Sequence, residues 1–259
     1  MMTFYIMGFW SANFVLYNID YLTQRPVYKC ETDTGAYETC GWRDICVDDP
    51  PKYYIDWDNP NSLNNWSQTL DLICVPDDAI QRISSVYYFG EIFGCLIISR
   101  IPDVIGRKWP YIVSVGLQLP CYIIIWLSRS LTLTTTVGFF MGILHIGIAN
   151  GGYINVCEYV HDKWKNVACT TMLVFDMLTV ITGALYWKYI SNNSNGLLIF
   201  GILQNALGLI GCYFLPETPE YLYSFKRFRE CKEVLHLIAK VNKSDLYKHV
   251  VLSQSKLKP

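Results

Sequence analysis

Residues 131–156 read LTLTTTVGFFMGILHIGIANGGYINV, and this stretch of 26 residues contains no Asp, Glu, Lys or Arg. About 20 apolar residues in a helix cross the roughly 30 Å hydrocarbon core of a bilayer, so the stretch predicts a transmembrane helix. Five further windows of the chain have the same character. Together, the six predicted spans cover residues 4–22, 83–101, 109–127, 131–156, 167–187 and 197–215. The sequence therefore predicts an all-α polytopic membrane protein with six transmembrane helices.

The composition narrows the class of protein further. Only 17% of the residues are charged and 52% are hydrophobic, whereas an average soluble domain has about 25% charged residues. The formal net charge is −1, and no basic stripe is interleaved with aromatic residues, which excludes a nucleic-acid partner. No positive region precedes the first span and no small-residue cleavage site follows it, so we expect a retained membrane helix rather than a signal peptide.

The charged residues are segregated into two stretches that determine the expected topology. Residues 23–80 contain eleven acidic and four basic residues, whereas residues 216–259 contain nine basic and five acidic ones. Basic segments stay on the inner side of a membrane, so we expect both termini on the cytoplasmic or matrix side. The sequence does not distinguish a mitochondrial inner membrane from a plasma membrane. The expected organisation is a first transmembrane helix (1–22), an acidic Cys-rich outer loop (23–80), transmembrane helices two to six (81–215) and a basic inner tail (216–259).

Four of the ten cysteines lie in the outer loop, at Cys30, Cys40, Cys46 and Cys74. Because the loop is expected on the oxidising side, they predict two disulfides, in any of three pairings. A zinc site is the alternative, but the spacings lack the C-x-x-C pairs of structural zinc sites. We therefore predict disulfides, and neither a metal nor a cofactor.

The inner tail contains an amphipathic pattern. Phe225, Phe228, Cys231, Leu235 and Ile238 recur at intervals of three and four residues, with basic residues between them. This periodicity predicts a helix with one apolar face. The helix lies either on the inner membrane surface or against other inner segments, and the pattern fits both arrangements equally well.

Two short motifs flank the predicted spans. Residues 103–108 read DVIGRK, with Asp103, Gly106, Arg107 and Lys108 in a loop between the second and third spans. Residues 216–222 read PETPEYL, with Pro216, Glu217 and Pro219 directly after the sixth span. The first resembles the D-R-x-G-R-K loop of major facilitator transporters, and the second resembles the P-E-S-P-R-W-L element of their sugar and organic-cation branches.

Two more segments, LDLIC at residues 70–74 and CEYV at residues 157–160, are similar to the organic-cation transporter branch. The resemblance covers nearly the whole chain and implies the amino-terminal six-helix half of a twelve-helix major facilitator fold. In that family, helices one and four line the central cavity, and the second and fifth helices abut the second half.

The chain also departs from the family pattern. Val104 replaces the first basic residue of the loop, and Glu220 stands where the tail element has Arg. In the family, the loop Asp is thought to interact with an Arg on the fourth helix, but here Gly138 occupies about that position. We therefore expect Asp103 to act as a solvated helix cap.

Several polar side chains lie at membrane depth, where an ionisable group costs at least ~2.5 kcal/mol unless it faces protein or water. Glu91 and Asp176 are the clearest cases, and we expect each to bond to a polar group on a neighbouring span or partner. Asp20 and Glu158 lie near span ends and are weaker candidates. The candidate cavity residues are Asn13, Tyr17, Asn18, Glu91, His145, Asn150 and Asp176. They either line a solute site or hydrogen-bond between helices, and we favour the latter.

No catalytic constellation is present, so we do not expect an enzyme. The departures favour a degenerate, transporter-like subunit that serves as a scaffold in a larger membrane complex, for example a mitochondrial respiratory complex. The alternative is a functional half of an organic cation or zwitterion transporter. A small-molecule substrate is expected only in this alternative.

In both interpretations the chain lies in a bilayer. Other membrane subunits are then expected to cover the second and fifth spans, with Gly90 and Gly94 as a packing groove.

Overall fold

The structure, a computed structural model, describes residues 2–32 and 35–242, so that residues 243–259 of the predicted inner tail lie outside the described part. Its helices lie at all six predicted windows. The six long helices are α1 (Met2–Tyr17), α5 (Asp77–Ile97), α7 (Lys108–Leu127), α8 (Leu131–Tyr159), α9 (Asp162–Leu185) and α10 (Ser194–Tyr213). The short helices are α2 (Ile19–Thr23), α3 (Trp42–Ile45), α4 (Trp66–Thr69), α6 (Ile101–Ile105), α11 (Pro219–Ser224) and α12 (Phe228–Val241). A π-helical turn, Tyr186–Ile190, extends α9.

Four helices within the described residues are long and apolar enough to cross a membrane: Lys108–Leu127, Leu131–Tyr159, Lys163–Ile190 and Ser194–Tyr213. They correspond to the third to sixth predicted spans. The helix α1 has only 16 residues, and α5 includes Asp77, Asp78, Arg82 and Glu91. Four of the six predicted spans therefore have a helix of the length and apolar character that a span needs, and the six-span topology stays a prediction.

The boundaries of the first two helices differ from the predicted ones. The first helix ends at Tyr17 rather than at residue 22, because Asn18 leaves helical geometry and α2 follows it. The second begins at Asp77, six residues earlier than predicted, directly after Pro76. The acidic pair in its first turn, Asp77 and Asp78, complements the positive end of the helix dipole.

Helix α8 packs against α5, α7 and α1, while α1 also contacts α9 and α10. Glycines allow the closest approach, between α5 and α8. A Cβ atom at Gly90 would overlap the Phe139 carbonyl oxygen, and one at Gly94 would lie 2.8 Å from that of Ile143. The expectation that Gly90 and Gly94 form a groove for another chain is therefore wrong, because α8 of the same chain fills it.

The predicted outer loop is a folded unit rather than an extended connection. Its three antiparallel strands, β1 (Tyr28–Glu31), β2 (Tyr37–Cys40) and β3 (Tyr53–Ile55), form a sheet in the order β2-β1-β3. Disulfides join Cys30 to Cys40 and Cys46 to Cys74, with Cα atoms 5.8 and 5.5 Å apart. Trp66 and Leu72 are buried in the same core as Phe14 of α1, so the unit docks onto the helices.

The structure also pairs Cys157 with Cys169, a disulfide that the sequence did not predict. Cys157 lies near the end of α8 and Cys169 lies in α9. This pair links two consecutive helices at the end expected to face the inner side.

The amphipathic helix of the tail, α12, packs in part against α11 and the end of α8. Cys231 and Val234 form a buried cluster with Tyr221 and Leu222 of α11, and Tyr159 contacts this cluster. Burial raises the pKa of the Cys231 thiol. Of the predicted apolar face, Cys231 and Ile238 pack against this cluster, whereas Phe225, Phe228 and Leu235 are exposed. The choice between the membrane surface and protein packing therefore stays open for the exposed part of the face.

Candidate functional site

The DVIGRK loop makes a tight turn between α6 and α7 around Gly106. Gly106 has a φ of +119°, in a region that favours glycine. A Cβ atom there would lie 2.5 Å from Oε2 of Glu217. The turn thus brings the PETPEYL segment against the loop.

Glu217 holds the start of α7 by its carboxylate. Its Oε1 accepts hydrogen bonds from the backbone N–H groups of Arg107 (3.0 Å), Lys108 (2.9 Å) and Thr218 (3.1 Å). A carboxylate at a helix amino terminus is stabilised both by the unpaired N–H groups and by the helix dipole.

Arg107 forms the centre of an ionic network at the same place. Its guanidinium pairs with Asp103, and its Nε donates to Oε1 of Glu158 at 2.9 Å. The second oxygen of Glu158 accepts from Thr218 Oγ1 at 2.5 Å. Burial alone would lower the pKa of Arg107, but the Asp103 and Glu158 carboxylates raise it above its ordinary value. The network therefore retains its charge.

The expected role of Asp103 is corrected by this geometry. Asp103 lies in the first turn of α6 and pairs with Arg107, and no side-chain cap bond is made there. Gly138 lies near the other end of α8 from Glu158, about 30 Å away at 1.5 Å per helical residue. The loss of an Arg at Gly138 therefore does not deprive Asp103 of its partner.

The remaining motif residues support this arrangement. The Pro216 carbonyl accepts a hydrogen bond from the Tyr159 hydroxyl, and Pro219 is the first residue of α11. Nζ of Lys108 lies 5.8 Å from the ring centre of Tyr213. Glu220, which departs from the family pattern, lies 3.6 Å from Lys165 Nζ in a solvent-exposed ion pair.

A second polar cluster lies inside the helix bundle and includes both predicted carboxylates. Nδ1 of His145 on α8 lies 2.6 Å from Oε1 of Glu91 on α5. Asp176 on α9 accepts hydrogen bonds from Asn13 Nδ2 and, at 3.0 Å, from the Tyr17 hydroxyl, both on α1. The expectation that Glu91 and Asp176 each bond to a neighbouring helix is confirmed.

The two halves of the cluster are close enough to interact. Glu91 lies within electrostatic range of Tyr17, and His145 lies within that of Asp176. The Tyr87 ring centre is 6.2 Å from that of His145. We call the group Glu91, His145, Asp176, Asn13 and Tyr17 the intramembrane cluster.

Two other candidate residues do not join it. Asn18 is buried, bonds to the Phe14 carbonyl, and accepts a hydrogen bond from Trp187 Nε1 at 3.3 Å. It therefore holds α1 against the end of α9. Asn150 is exposed on α8, and no hydrogen bond of its side chain occurs within the described ranges.

Sequence reasoning ranked Glu158 too low and did not single out Thr218. Both lie inside segments that carried the family resemblance, CEYV and PETPEYL, so the motifs themselves contained the signal. Their partnership was hidden because Glu158 and Thr218 are 60 residues apart in the chain.

Comparison with known proteins agrees with this geometry. The profile of the family described as "Sugar (and other) transporter" matches residues 5–255. Organic cation transporter 1 of Caenorhabditis elegans is 21% identical over 72% of this chain and 32% of its own length. Organic cation/carnitine transporter 5 of Arabidopsis thaliana is 24% identical over 82% of this chain and 44% of its own length. Solute carrier family 22 member 16 of Xenopus laevis is 26% identical over 74% and 33%.

The chain thus spans from one third to less than half of the length of these curated relatives. The family match, the turn at Gly106 and the membrane-crossing helices agree with one another, and the predicted resemblance is confirmed. The chain belongs to the sugar (and other) transporter family of the major facilitator superfamily and is similar to its organic-cation branch.

Proposed function

We propose that the chain is the amino-terminal bundle of a transporter for a small organic cation, and that the intramembrane cluster recognises the positive charge. The observation that carries this proposal is the presence of two carboxylates, Glu91 and Asp176, in an apolar bundle with one imidazole. A carboxylate at membrane depth needs a compensating charge or polar partners.

A cationic solute would supply the compensating positive charge, because basic side chains are scarce in the helices around the cluster. Helices α1 and α8 contain no Lys or Arg, and the lysines of α9, Lys163 and Lys165, lie near its amino terminus. Asp176 is bonded only to neutral groups among the described residues, namely Asn13 and Tyr17. A monovalent cation would therefore find an uncompensated negative charge at Asp176.

A second six-helix bundle would complete the cavity. Large apolar side chains are exposed along α5 and α9, which abut the second half in the family. They are Tyr88, Phe89, Ile92, Leu96, Leu173, Val174, Met177 and Ile181. Transporters of this superfamily rock two such bundles about a site near the bilayer midplane. In this arrangement both termini of the chain are on the cytoplasmic or matrix side, as the basic tail favours.

The scaffold interpretation loses its main supports. Val104 is 72% exposed, so its substitution leaves the Arg107–Glu158 pair intact. The comparisons contain transporters and no subunits of larger assemblies among the relatives named above. We therefore prefer transport to a scaffold role in a respiratory or other complex.

Uptake into cells that produce the chain tests this proposal. We expect radiolabelled tetraethylammonium, a permanently charged cation, to accumulate above the vector control, and benzoate and glucose not to. The Asp176→Asn variant should lose at least tenfold of this uptake. Asp20→Asn, the same change at an exposed position of α2, should keep it. Equal uptake by both variants, or neither uptake nor cation binding by the unmodified chain, would contradict the proposal and favour a scaffold.

A further inference from the structure

We propose that Cys157 and Cys169 form a reversible oxidation site on the inner side of the membrane, where their disulfide ties α8 to α9 after an oxidant has reached it. The two cysteines form the third disulfide of the structure, with Cα atoms 6.4 Å apart. The inference concerns the chemistry of this pair and holds whether or not the bundle recognises a cation.

The third disulfide lies at the opposite end of the bundle from the other two. The outer unit, with its two disulfides, packs where α8 begins, because Trp66 shares a core with Val137 and Leu131 packs against that core. Cys157 follows Leu131 on the same helix by 26 residues, which is about 39 Å at 1.5 Å per residue. This length exceeds the roughly 30 Å hydrocarbon core of a bilayer. A membrane around α8 therefore separates the third disulfide from the outer unit.

The two sides of such a membrane differ in redox chemistry. Disulfides persist on the outer, oxidising side, whereas glutathione and thioredoxin keep thiols reduced on the inner side. In either orientation of the chain, one set of disulfides faces the reducing side. The basic tail assigns that side to Cys157 and Cys169. Cys30, by contrast, is buried in the core of the outer unit with Tyr28 and Ile45, as a permanent structural disulfide requires.

The surroundings of the pair give its two sulfurs different roles. Cys157 is partly exposed, whereas Cys169 is only 8% exposed. Lys165 precedes Cys169 by four residues and so lies on the same face of α9. A positive charge near a thiol favours the thiolate, which is the reactive form. Cys157 is therefore the sulfur that a solute oxidant reaches first, and Cys169 is the one that completes the disulfide.

The oxidation balances with hydrogen peroxide as the oxidant. The Cys157 thiolate attacks one peroxide oxygen, the O–O bond breaks, and a sulfenic acid and one water result. The Cys169 sulfur then attacks the sulfenic sulfur and displaces the second water, so that two thiols and one peroxide give one disulfide and two waters. Glutathione reverses the reaction in two steps. Its thiolate first forms a mixed disulfide with one cysteine, and a second glutathione releases that cysteine as a thiol.

The disulfide joins two parts of the chain that the structure describes as important. Cys157 directly precedes Glu158, which binds Arg107 and Thr218. Cys169 lies on α9, the helix that carries Asp176. Oxidation therefore fixes the start of α9 to the ionic network at the end of α8, and reduction leaves the turn between the two helices as their covalent connection.

Thiol trapping in cells that produce the chain tests the site. Cells are quenched in acid, free thiols are blocked with N-ethylmaleimide, and disulfide-linked peptides are mapped. We expect Cys157 and Cys169 to be mostly thiols in resting cells, to pair within minutes of exposure to hydrogen peroxide, and to separate again after the peroxide is removed. The two outer disulfides should stay paired throughout. Cys95, which is exposed and free, is the control for non-specific oxidation and should gain no partner within the chain.

Two results of this experiment would overturn the site. One is a Cys157–Cys169 disulfide that is already complete in resting cells, since this would make it a structural disulfide. The other is a pair that stays as two thiols under peroxide.

Thermal unfolding of the purified chain in lipid nanodiscs measures the link between the helices. The chain is treated with peroxide or with glutathione, and peptide mapping verifies that the outer disulfides are intact in both samples. Because the disulfide closes a loop between cysteines 12 positions apart, the oxidised chain should unfold at a midpoint roughly 5–10 °C higher. Cys169→Ser should abolish this difference, whereas Cys121→Ser, at a free cysteine, should preserve it. Equal midpoints of the oxidised and reduced unmodified chain would contradict the proposed link.

Discussion

Arg107 and Glu158 form an ion pair between the start of α7 and the end of α8, with 2.9 Å between Nε and Oε1. Their side chains are only 18% and 10% exposed, and Thr218, directly after the sixth span, completes the coordination of Glu158. Three segments that are distant in sequence therefore meet at one carboxylate. The pair links the start of α7, the end of α8 and the segment after α10.

Replacing Glu158 by Gln should destabilise the folded chain by about 2 kcal/mol, because Arg107 would keep its charge in a half-buried place without this partner. The midpoint of thermal unfolding in mild detergent should fall by roughly 4–8 °C. Glu233→Gln is the matched control, since Glu233 is 66% exposed and pairs with Arg229 on the surface. Equal shifts for the two variants would contradict the structural role of Glu158.

Two glycines four residues apart on α8 should respond oppositely to substitution. A Cβ atom at Gly142 would overlap the Tyr87 carbonyl oxygen, whereas one at Gly138 has nothing within 4 Å. We expect Gly142→Ala to lower stability by about 1–3 kcal/mol through overpacking. Gly138→Ala should be neutral or stabilising, because Ala favours a helix by up to ~1 kcal/mol. Unfolding midpoints of the two variants measure the difference, and a destabilised Gly138→Ala would show that the α5–α8 contact is misplaced.

Non-reducing peptide mapping should recover the pairs Cys30–Cys40 and Cys46–Cys74. The second disulfide closes a longer loop, because its cysteines are separated by 28 positions in the sequence rather than 10. Its removal by paired Cys→Ala substitutions should therefore cost about 1 kcal/mol more than removal of the first. Four freely alkylated thiols, or other pairings, would refute this arrangement of the outer unit.

Apolar windows predicted the long helices because a lipid-facing helix must be apolar over its whole length. The same reasoning was less accurate at α1 and α5, whose ends depend on single polar residues. Asn18 interrupts the first helix, and Pro76 with Asp77 starts the second earlier than hydropathy suggests.

Partners across the bundle could not be predicted from spacing alone. Glu91 and His145 are 54 residues apart, and Asn13 and Asp176 are 163 apart. Membrane depth indicated that Glu91 and Asp176 needed polar partners, but only the packing of four helices determines which ones. The spacing of Gly90 and Gly94 correctly indicated a face for helix packing. It did not indicate that α8 of the same chain occupies this face.

Equilibrium binding of radiolabelled tetraethylammonium to the purified chain in nanodiscs tests the central claim, that the intramembrane cluster recognises a cation. We predict saturable binding that is weakened at least tenfold by Asp176→Asn and changed less than twofold by Asp20→Asn. Displacement by a second organic cation, but not by benzoate or glucose, should accompany it. No saturable binding, or equal affinity in the chain and its Asp176→Asn variant, would contradict the claim.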